Sequence, residues 1–339
     1  MVARRSVVTM RDVAERAGVS IKTVSNVIND FPVIRPETRA RVEEAIAGLG
    51  YQVNLTARNL RRGRTGLIGL AVPELTVPYF AELADSVMRA ADRRGVTVLI
   101  EQTGAERERE LAVLGSELRL LTDGLMFSPL AVGQEDLDSL TVRYPLVLLG
   151  ERMFGGPTDH VTMSNVEGAR AATRHLIELG RRRIAVVGSH PGEVVGSAAL
   201  RLEGYRLALQ DAGLPFEPAL LGDAGQWHLN TGADAMSALL DSGVHLDAVF
   251  GFNDAMAIGA LHVLHERRVR VPEEVAVIGF DAVQEAEYTV PPLSSLDPGR
   301  EEIADTAVRM LLERVGGYDG DPRLVLTGHH VIARESTVG

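Results

Sequence analysis

At the start of the chain, apolar residues recur at helical spacing. From Thr9 to Gly18, the residues Met10, Val13, Ala14 and Ala17 fall at i, i+3, i+4 and i+7, one face of a short helix. Thr9 stands where an N-cap belongs, Asp12 three residues on is an acidic counterpart of the capping box, and Gly18 supplies the stop. Ser20 offers a second cap. Beyond it Val24, Val27 and Ile28 point one way, while Ile21, Lys22, Ser25, Asn26 and Asn29 point the other. A third helix opens with Pro36 and runs through Val42, Ala45, Ile46 and Leu49 to Gly50. Two short helices joined by a tight turn containing glycine, closed by a third, predict a helix-turn-helix, whose second helix enters the major groove of DNA.

The pattern changes at Gly66. Unbroken apolar runs now alternate with helical stretches: "GLIGLAV", "VTVLIEQ", "DGLMFS" and "PLVLLG" first, then "RRIAVVGS", "DAVFGF" and "VAVIGFD". Strands that do not alternate, separated by helices, belong to parallel sheets buried on both faces. Two such sets predict an α/β fold: an all-α headpiece followed by two doubly wound parallel-sheet lobes.

Charge follows the same division. The whole chain carries a net charge of −11, which argues against a nucleic-acid partner, yet residues 1–65 hold 12 Lys+Arg against 6 Asp+Glu, a net of +6. Lys22, the only lysine of the chain, lies on the outward face of the second helix, where an ammonium can meet a guanine edge or a phosphate. Cysteine is absent, so disulfides and thiolate metal sites are excluded. The N-terminus reaches charged residues before any signal-peptide core could form, and no run approaches the roughly 18 apolar residues of a membrane span. The expectation is a soluble, unexported, cytoplasmic protein with no membrane partner.

The segments "TMRDVAERAGVSIKTVSNVIND" and "RPETRARVEEAIAGLGYQVNLTARNLRRGRTGLIGL" resemble the headpiece of the lac repressor family of bacterial transcription regulators, and the likeness continues to the C-terminus. The resemblance implies that Ile21, Lys22, Ser25 and Asn26 read bases, with Thr9, Thr23, Asn29 and Thr38 near phosphates. It also implies that the linker "NLTARNLRRGR" folds into a minor-groove helix on DNA. There Asn54 would cap it, Leu60 would wedge between base pairs, and basic residues including Arg58 and Arg61 would contact phosphates. The domains implied are residues 1–53 (DNA-binding), 54–65 (hinge) and 66–339 (a periplasmic-binding-protein-like core for effector binding and dimerisation). In the core the first lobe would take residues 66–163 and 296–325, with a helix over 299–316, and the second lobe 164–292 and 326–339.

Facing parallel sheets bind ligands beyond the carboxyl ends of their strands. Tyr79, Phe80, Asn253, Asp254 and Asp281 fall at or soon after such ends, and Trp227 lies in a loop. Arg201 matches the family arginine that reaches the ligand, and Ser197 lies a turn earlier. Trp227 could stack on a sugar face while Asp281, Asn253 and Arg201 bind hydroxyls. Ser164 stands where the family's "D-N-x-x-G" segment has aspartate and is left out of the site.

No G-x-S-x-G elbow, Walker A loop or G-x-G-x-x-G follows a strand. His262 and His265 are spaced i, i+3 without the further ligands a metal would need. The expected protein is therefore neither an enzyme nor a holder of metal or cofactor. It is a repressor that binds a near-palindromic operator as a homodimer and senses a small metabolite, a sugar, in the cleft between lobes. Because "VIARESTVG" lacks a leucine heptad, no tetramerising coil is expected. The alternatives are a solute-binding protein of periplasmic type, or the same regulator sensing a purine.

Overall fold

The computed structural model describes residues 8–28, 31–51 and 64–339. Five expected DNA contacts, Asn29, Asn54, Arg58, Leu60 and Arg61, lie outside the described residues. The chain divides into two units, Met1–Thr65 and Gly66–Gly339.

Among the described residues the first unit holds three helices, α1 (Met10–Ala17), α2 (Ile21–Ile28) and α3 (Pro36–Leu49). At α1 the capping box closes in both directions: the Thr9 hydroxyl accepts from Asp12 N at 3.4 Å, and Asp12 Oδ2 accepts from Thr9 N at 2.7 Å. Gly18 then turns left-handed, φ +62°, which lets its N–H reach the last carbonyls of α1. Ser20 Oγ accepts from Thr23 N at 3.1 Å and starts α2. Val13, Val24 and Val42, one from each helix, are fully buried and share one core with the buried Tyr51. Each fully buried valine contributes about 1.5–3 kcal/mol, so a charge at Val24 would dismantle this small core.

In the second unit the strands are β1 (Leu67–Val72), β2 (Thr97–Gln102), β3 (Leu125–Phe127), β4 (Leu146–Leu149), β5 (Asp159–Met163), β6 (Ile184–Ser189), β7 (Leu221–Asp223), β8 (Ala248–Gly251), β9 (Ala276–Phe280), β10 (Ser294–Asp297), β11 (Leu324–Thr327) and β12 (His330–Ile332). They form two six-stranded sheets, ordered β11-β5-β4-β3-β1-β2 and β12-β10-β9-β8-β6-β7. All pairings are parallel except β10 with β12. The central strands β4, β6, β8 and β9 are buried at every position, which is why their sequences are apolar without alternation. Helices Asn165–Glu178 and Ser197–Asp211 cross so closely that a side chain at Gly204 would strike the Val166 carbonyl.

The crossings between lobes differ slightly from the sequence expectation. Residues 296–297 belong to the second lobe, because β10 pairs there with β9 through Leu296. Likewise β11 extends the first sheet to Thr327. The polar sequence "SSLD" hides a buried strand whose hydroxyls are satisfied: Ser294 Oγ donates to Arg334 O at 3.0 Å, and Ser295 Oγ to Asp254 Oδ1 at 2.6 Å.

Candidate functional site

In the headpiece, α2 buries Val24 and Val27 and turns Ile21 (41 % exposed) and Lys22 outward, while Thr23, Ser25 and Asn26 are half-buried at the edge of that face. Thr38, in the first turn of α3, is half-buried, and Thr9 is exposed although its hydroxyl is engaged in the cap. The short polar side of α2 offers donors and acceptors that reach beyond the backbone, the requirement for reading a groove.

A cavity of about 320 Å³ opens between the two sheets of the second unit. Of the sequence candidates, Tyr79, Phe80, Ser197, Arg201, Trp227, Asn253 and Asp281 line it. Tyr79 and Phe80 open helix Pro78–Asp92 after β1, with their rings edge-on at 5.3 Å. Arg201 comes from helix Ser197–Asp211 and is only 3 % exposed. Its Nε donates to Asn165 Oδ1 at 2.8 Å, Nη1 donates to the Phe252 carbonyl, and the guanidinium lies 3.7 Å above the Phe280 ring centroid. On the remaining edge, Nη2 donates to Met163 Sδ at 3.2 Å and stands 3.8 Å from Asp281 Oδ1, beyond hydrogen-bond distance, with one N–H still free for another acceptor. Burial pushes the Asp281 carboxyl well above the usual carboxylate range, despite the Arg201 charge. Both groups therefore keep hydrogen-bonding capacity toward the cavity.

Asp281 reaches that position through a strained turn, with φ +119° at Asp281 and +51° at Ala282. Asp254 holds the turn. It is fully buried and does not line the cavity, so its placement among cleft residues is corrected: Oδ2 accepts from Val283 N at 2.9 Å and Oδ1 from Ser295 Oγ. Burial pushes its carboxyl up to about 7. The physical reason lies in helix phase, since Asp254 is the first residue of helix Asp254–Glu266 and turns to Val283 and Ser295, whereas Asn253 caps that helix and lines the cavity. The Asn253 Oδ1 accepts from Met256 N at 2.8 Å, and Nδ2 donates to Trp227 O at 3.4 Å. Trp227 spends its N–H on the Gly188 carbonyl at 2.9 Å and presents its ring to the cavity.

Sequence reasoning missed Glu74, Arg152, His190, Glu193 and His228, all of which line the same cavity. Glu74 and His190 follow β1 and β6 closely, and the strand-end rule that found Asp281 would have found them. Several of these residues tie lobe to lobe: His228 Nε2 and Glu74 Oε2 lie 3.0 Å apart, Arg152 Nη1 donates to Val195 O at 3.0 Å, and Ser197 donates to the buried Glu151. Beneath them, burial raises the Glu151 carboxyl. Among the described residues there is no cluster of three metal-ligating side chains, and no helix is long and apolar enough to cross a membrane.

Comparison with known proteins accounts for both units. Residues 9–54 match the model of bacterial regulatory proteins of the lacI family, and residues 173–337 that of a periplasmic binding protein-like domain. The regulator CelR of Thermobifida fusca is 35% identical over 348 residues, covering 98% of this chain and 99% of that protein. The solved transcriptional regulator CelR–cellobiose complex superposes with a TM-score of 0.71, at 32% identity over 97% of this chain and 99% of that one. The structure of a putative lacI-family regulator from Sanguibacter keddieii is 49% identical over 82% of this chain and all of that chain, with a TM-score of 0.76. The lac repressor dimer bound to operator and the anti-inducer ONPF is 27% identical, covers 98% of this chain and 99% of that one, and gives a TM-score of 0.81. With such likeness extending over headpiece and lobes alike, the chain belongs to the lacI family of bacterial regulatory proteins and is a DNA-binding transcriptional regulator.

Proposed function

We propose that this regulator is a repressor that binds a near-palindromic operator as a homodimer and senses a neutral sugar in the cavity between its lobes. In this reading residues 1–53 bind DNA, 54–65 form the hinge, and 66–339 bind effector and dimerise. Ile21, Lys22, Ser25 and Asn26 read bases, Thr9, Thr23, Asn29 and Thr38 approach phosphates, and Asn54, Arg58, Leu60 and Arg61 serve the minor groove. The dimer is suggested by the lac repressor dimer on its operator, and the sugar by the CelR–cellobiose complex.

One observation carries the effector reading. The Arg201 guanidinium and Asp281 carboxyl face the cavity 3.8 Å apart without hydrogen-bonding each other. A pair of vicinal hydroxyls can accept from Nη2 and donate to Oδ1, filling the gap, while the Trp227 face covers the apolar side of a pyranose ring. Charge sets the class further. Each cation of the described lining already faces a carboxylate, Arg152 and His190 facing Glu193 and Arg201 facing Asp281, so a phosphorylated or carboxylated sugar would find no unpaired positive group there. The volume of about 320 Å³ lies at the small end of ligand sites.

A thermal-shift series tests this, with cellobiose and other neutral sugars against sugar phosphates and purine bases. Neutral sugars should raise the melting temperature, Arg201→Ala should abolish the rise, and sugar phosphates should give none. A purine that stabilises the protein where no neutral sugar does would replace the sugar reading.

A further inference from the structure

Two loops form the second-lobe wall of the cavity, and one side chain joins them. The loop after β6 runs from His190 to the start of helix Ser197–Asp211, and the loop after β7 carries Gly225, Gln226, Trp227 and His228. His190 Nδ1 lies 2.8 Å from Glu193 Oε2, and His190 Nε2 lies 2.6 Å from the Gly225 carbonyl. Both partners are oxygens that only accept. A neutral imidazole has one donor and one lone pair, so it can satisfy only one of the two, whereas the imidazolium satisfies both.

Glu193 extends the connection. Its Oε1 accepts from Ala198 N at 3.1 Å and Ala199 N at 3.3 Å, the free amides at the helix start, and its Oε2 lies 3.9 Å from Arg152 Nη1 of the first lobe. The fit is tight: a side chain at Gly196, φ +143°, would collide with both Glu193 and Arg152. The neighbouring Asp223, at the end of β7, is occupied by Ser189 Oγ at 2.5 Å, leaving Glu193 as the carboxylate that faces the ring.

We propose that His190, as an imidazolium, is a positioning residue that clasps the two loops of the effector wall and so makes effector affinity fall as pH rises. The inference rests on the cavity being the effector site. Hydrogen bonding to Glu193 holds the His190 ring above its ordinary value of 6.5, against a burial that alone would lower it. A raised folded value means that the clasp is complete below 6.5 and is lost as pH rises through the folded value. Loss of the proton turns a lone pair toward the Gly225 carbonyl or toward Glu193, and the loop bearing Trp227 separates from the loop bearing Glu193.

The protein supplies its own probe. Trp227 is the only tryptophan, and its ring centroid lies 5.5 Å from that of His190. A protonated imidazole quenches indole emission more strongly than a neutral one. In the full-length protein without added ligand, emission should rise in a single step with a midpoint above 6.5. His190→Asn should remove the step, Glu193→Gln should move its midpoint down, and His228→Gln should keep it. Acrylamide should quench Trp227 more readily above the midpoint than below it in the parent, and to the same extent at every pH in His190→Asn. A midpoint at or below 6.5, a step that survives His190→Asn, or acrylamide access that stays flat through the midpoint would each overturn the clasp. None of these readings needs a sugar to bind, so a wrong effector class would leave them unchanged.

Discussion

Two arginine–carboxylate clusters lie in the lobes and are built in opposite ways. At the edge of the first sheet, Asp159 is fully buried, and its two oxygens accept from Arg314 Nε and Nη2 and from Arg323 N, Nε and Nη2 at 2.8–3.3 Å. Those bonds outweigh burial and lower its carboxyl to about 2. In the cavity the Asp281 carboxyl hydrogen-bonds to no arginine among the described residues, since Arg201 stands 3.8 Å away and Arg300 donates to the Asp281 backbone carbonyl instead; its backbone is strained and its carboxyl is raised by burial. The first cluster is a finished staple that joins strand β5 to the last helix and strand of its lobe. The second is a socket with unfilled hydrogen bonds, and under the proposed effector reading stability is sacrificed there for binding.

The largest expected effect follows from removing the staple. Asp159→Ala leaves two arginines facing a buried void and should cost about 3 kcal/mol in urea denaturation, at the low end for a broken buried pair because both arginines retain some solvent. Asp281→Ala should leave stability within about 1 kcal/mol of the parent, since the lost carboxylate was desolvated and poorly partnered. Equal losses in the two variants would break the contrast.

Next comes binding. Arg201→Ala or Asp281→Ala should weaken the bound sugar by about 2 kcal/mol or more in calorimetry, because a sugar hydroxyl buried in the cavity then loses its charged hydrogen-bond partner. Asp159→Asn, provided it is measured below its melting temperature, should bind as the parent does.

The pH response should also separate the clusters, by sign. Asp159, lowered from 3.8 to about 2, contributes about 2 kcal/mol that is present above 3.8 and lost as pH falls through 2. Asp254 below the socket, raised to about 7, contributes stability that is complete below 3.8 and lost as pH rises through 7. Denaturation midpoints between pH 2 and 8 should therefore show Asp159→Asn flattening the acid limb and Asp254→Asn flattening the neutral one.

The smallest effect belongs to the headpiece. Lys22→Ala should weaken operator binding by about 1 kcal/mol with specificity relaxed at one symmetric position, as measured by competition among operator variants. Uniform weakening on every sequence with a shallower salt slope would assign Lys22 to a phosphate instead.

Much of this organisation is legible in the sequence, because burial on both sheet faces forces apolar strands and because caps and glycines punctuate the headpiece helices. Thr9, Asp12 and Gly18 could be placed from spacing alone. Strand β10 could not, since "SSLD" hides its burial behind hydroxyls whose partners, Arg334 and Asp254, are distant in the chain. The cavity was legible where a strand end delivers a side chain directly, as at Asp281, and illegible where partners meet across lobes, as Glu151 meets Ser197 and Arg152 meets the Val195 carbonyl. Asp254 shows the limit of the strand-end rule: it names a neighbourhood, whereas the phase of the following helix decides which of two adjacent polar residues faces the cavity.

The most direct test is operator binding by fluorescence anisotropy, with neutral sugars titrated onto the parent and onto Asp281→Ala. The operator fragment would be selected from random DNA, with cellobiose as the first sugar. The parent should change its operator affinity as sugar is added, and Asp281→Ala should bind operator as tightly as the sugar-free parent and show no response. A sugar response that persists undiminished in Asp281→Ala would contradict the assignment of the Arg201–Asp281 socket as the point where the effector is read.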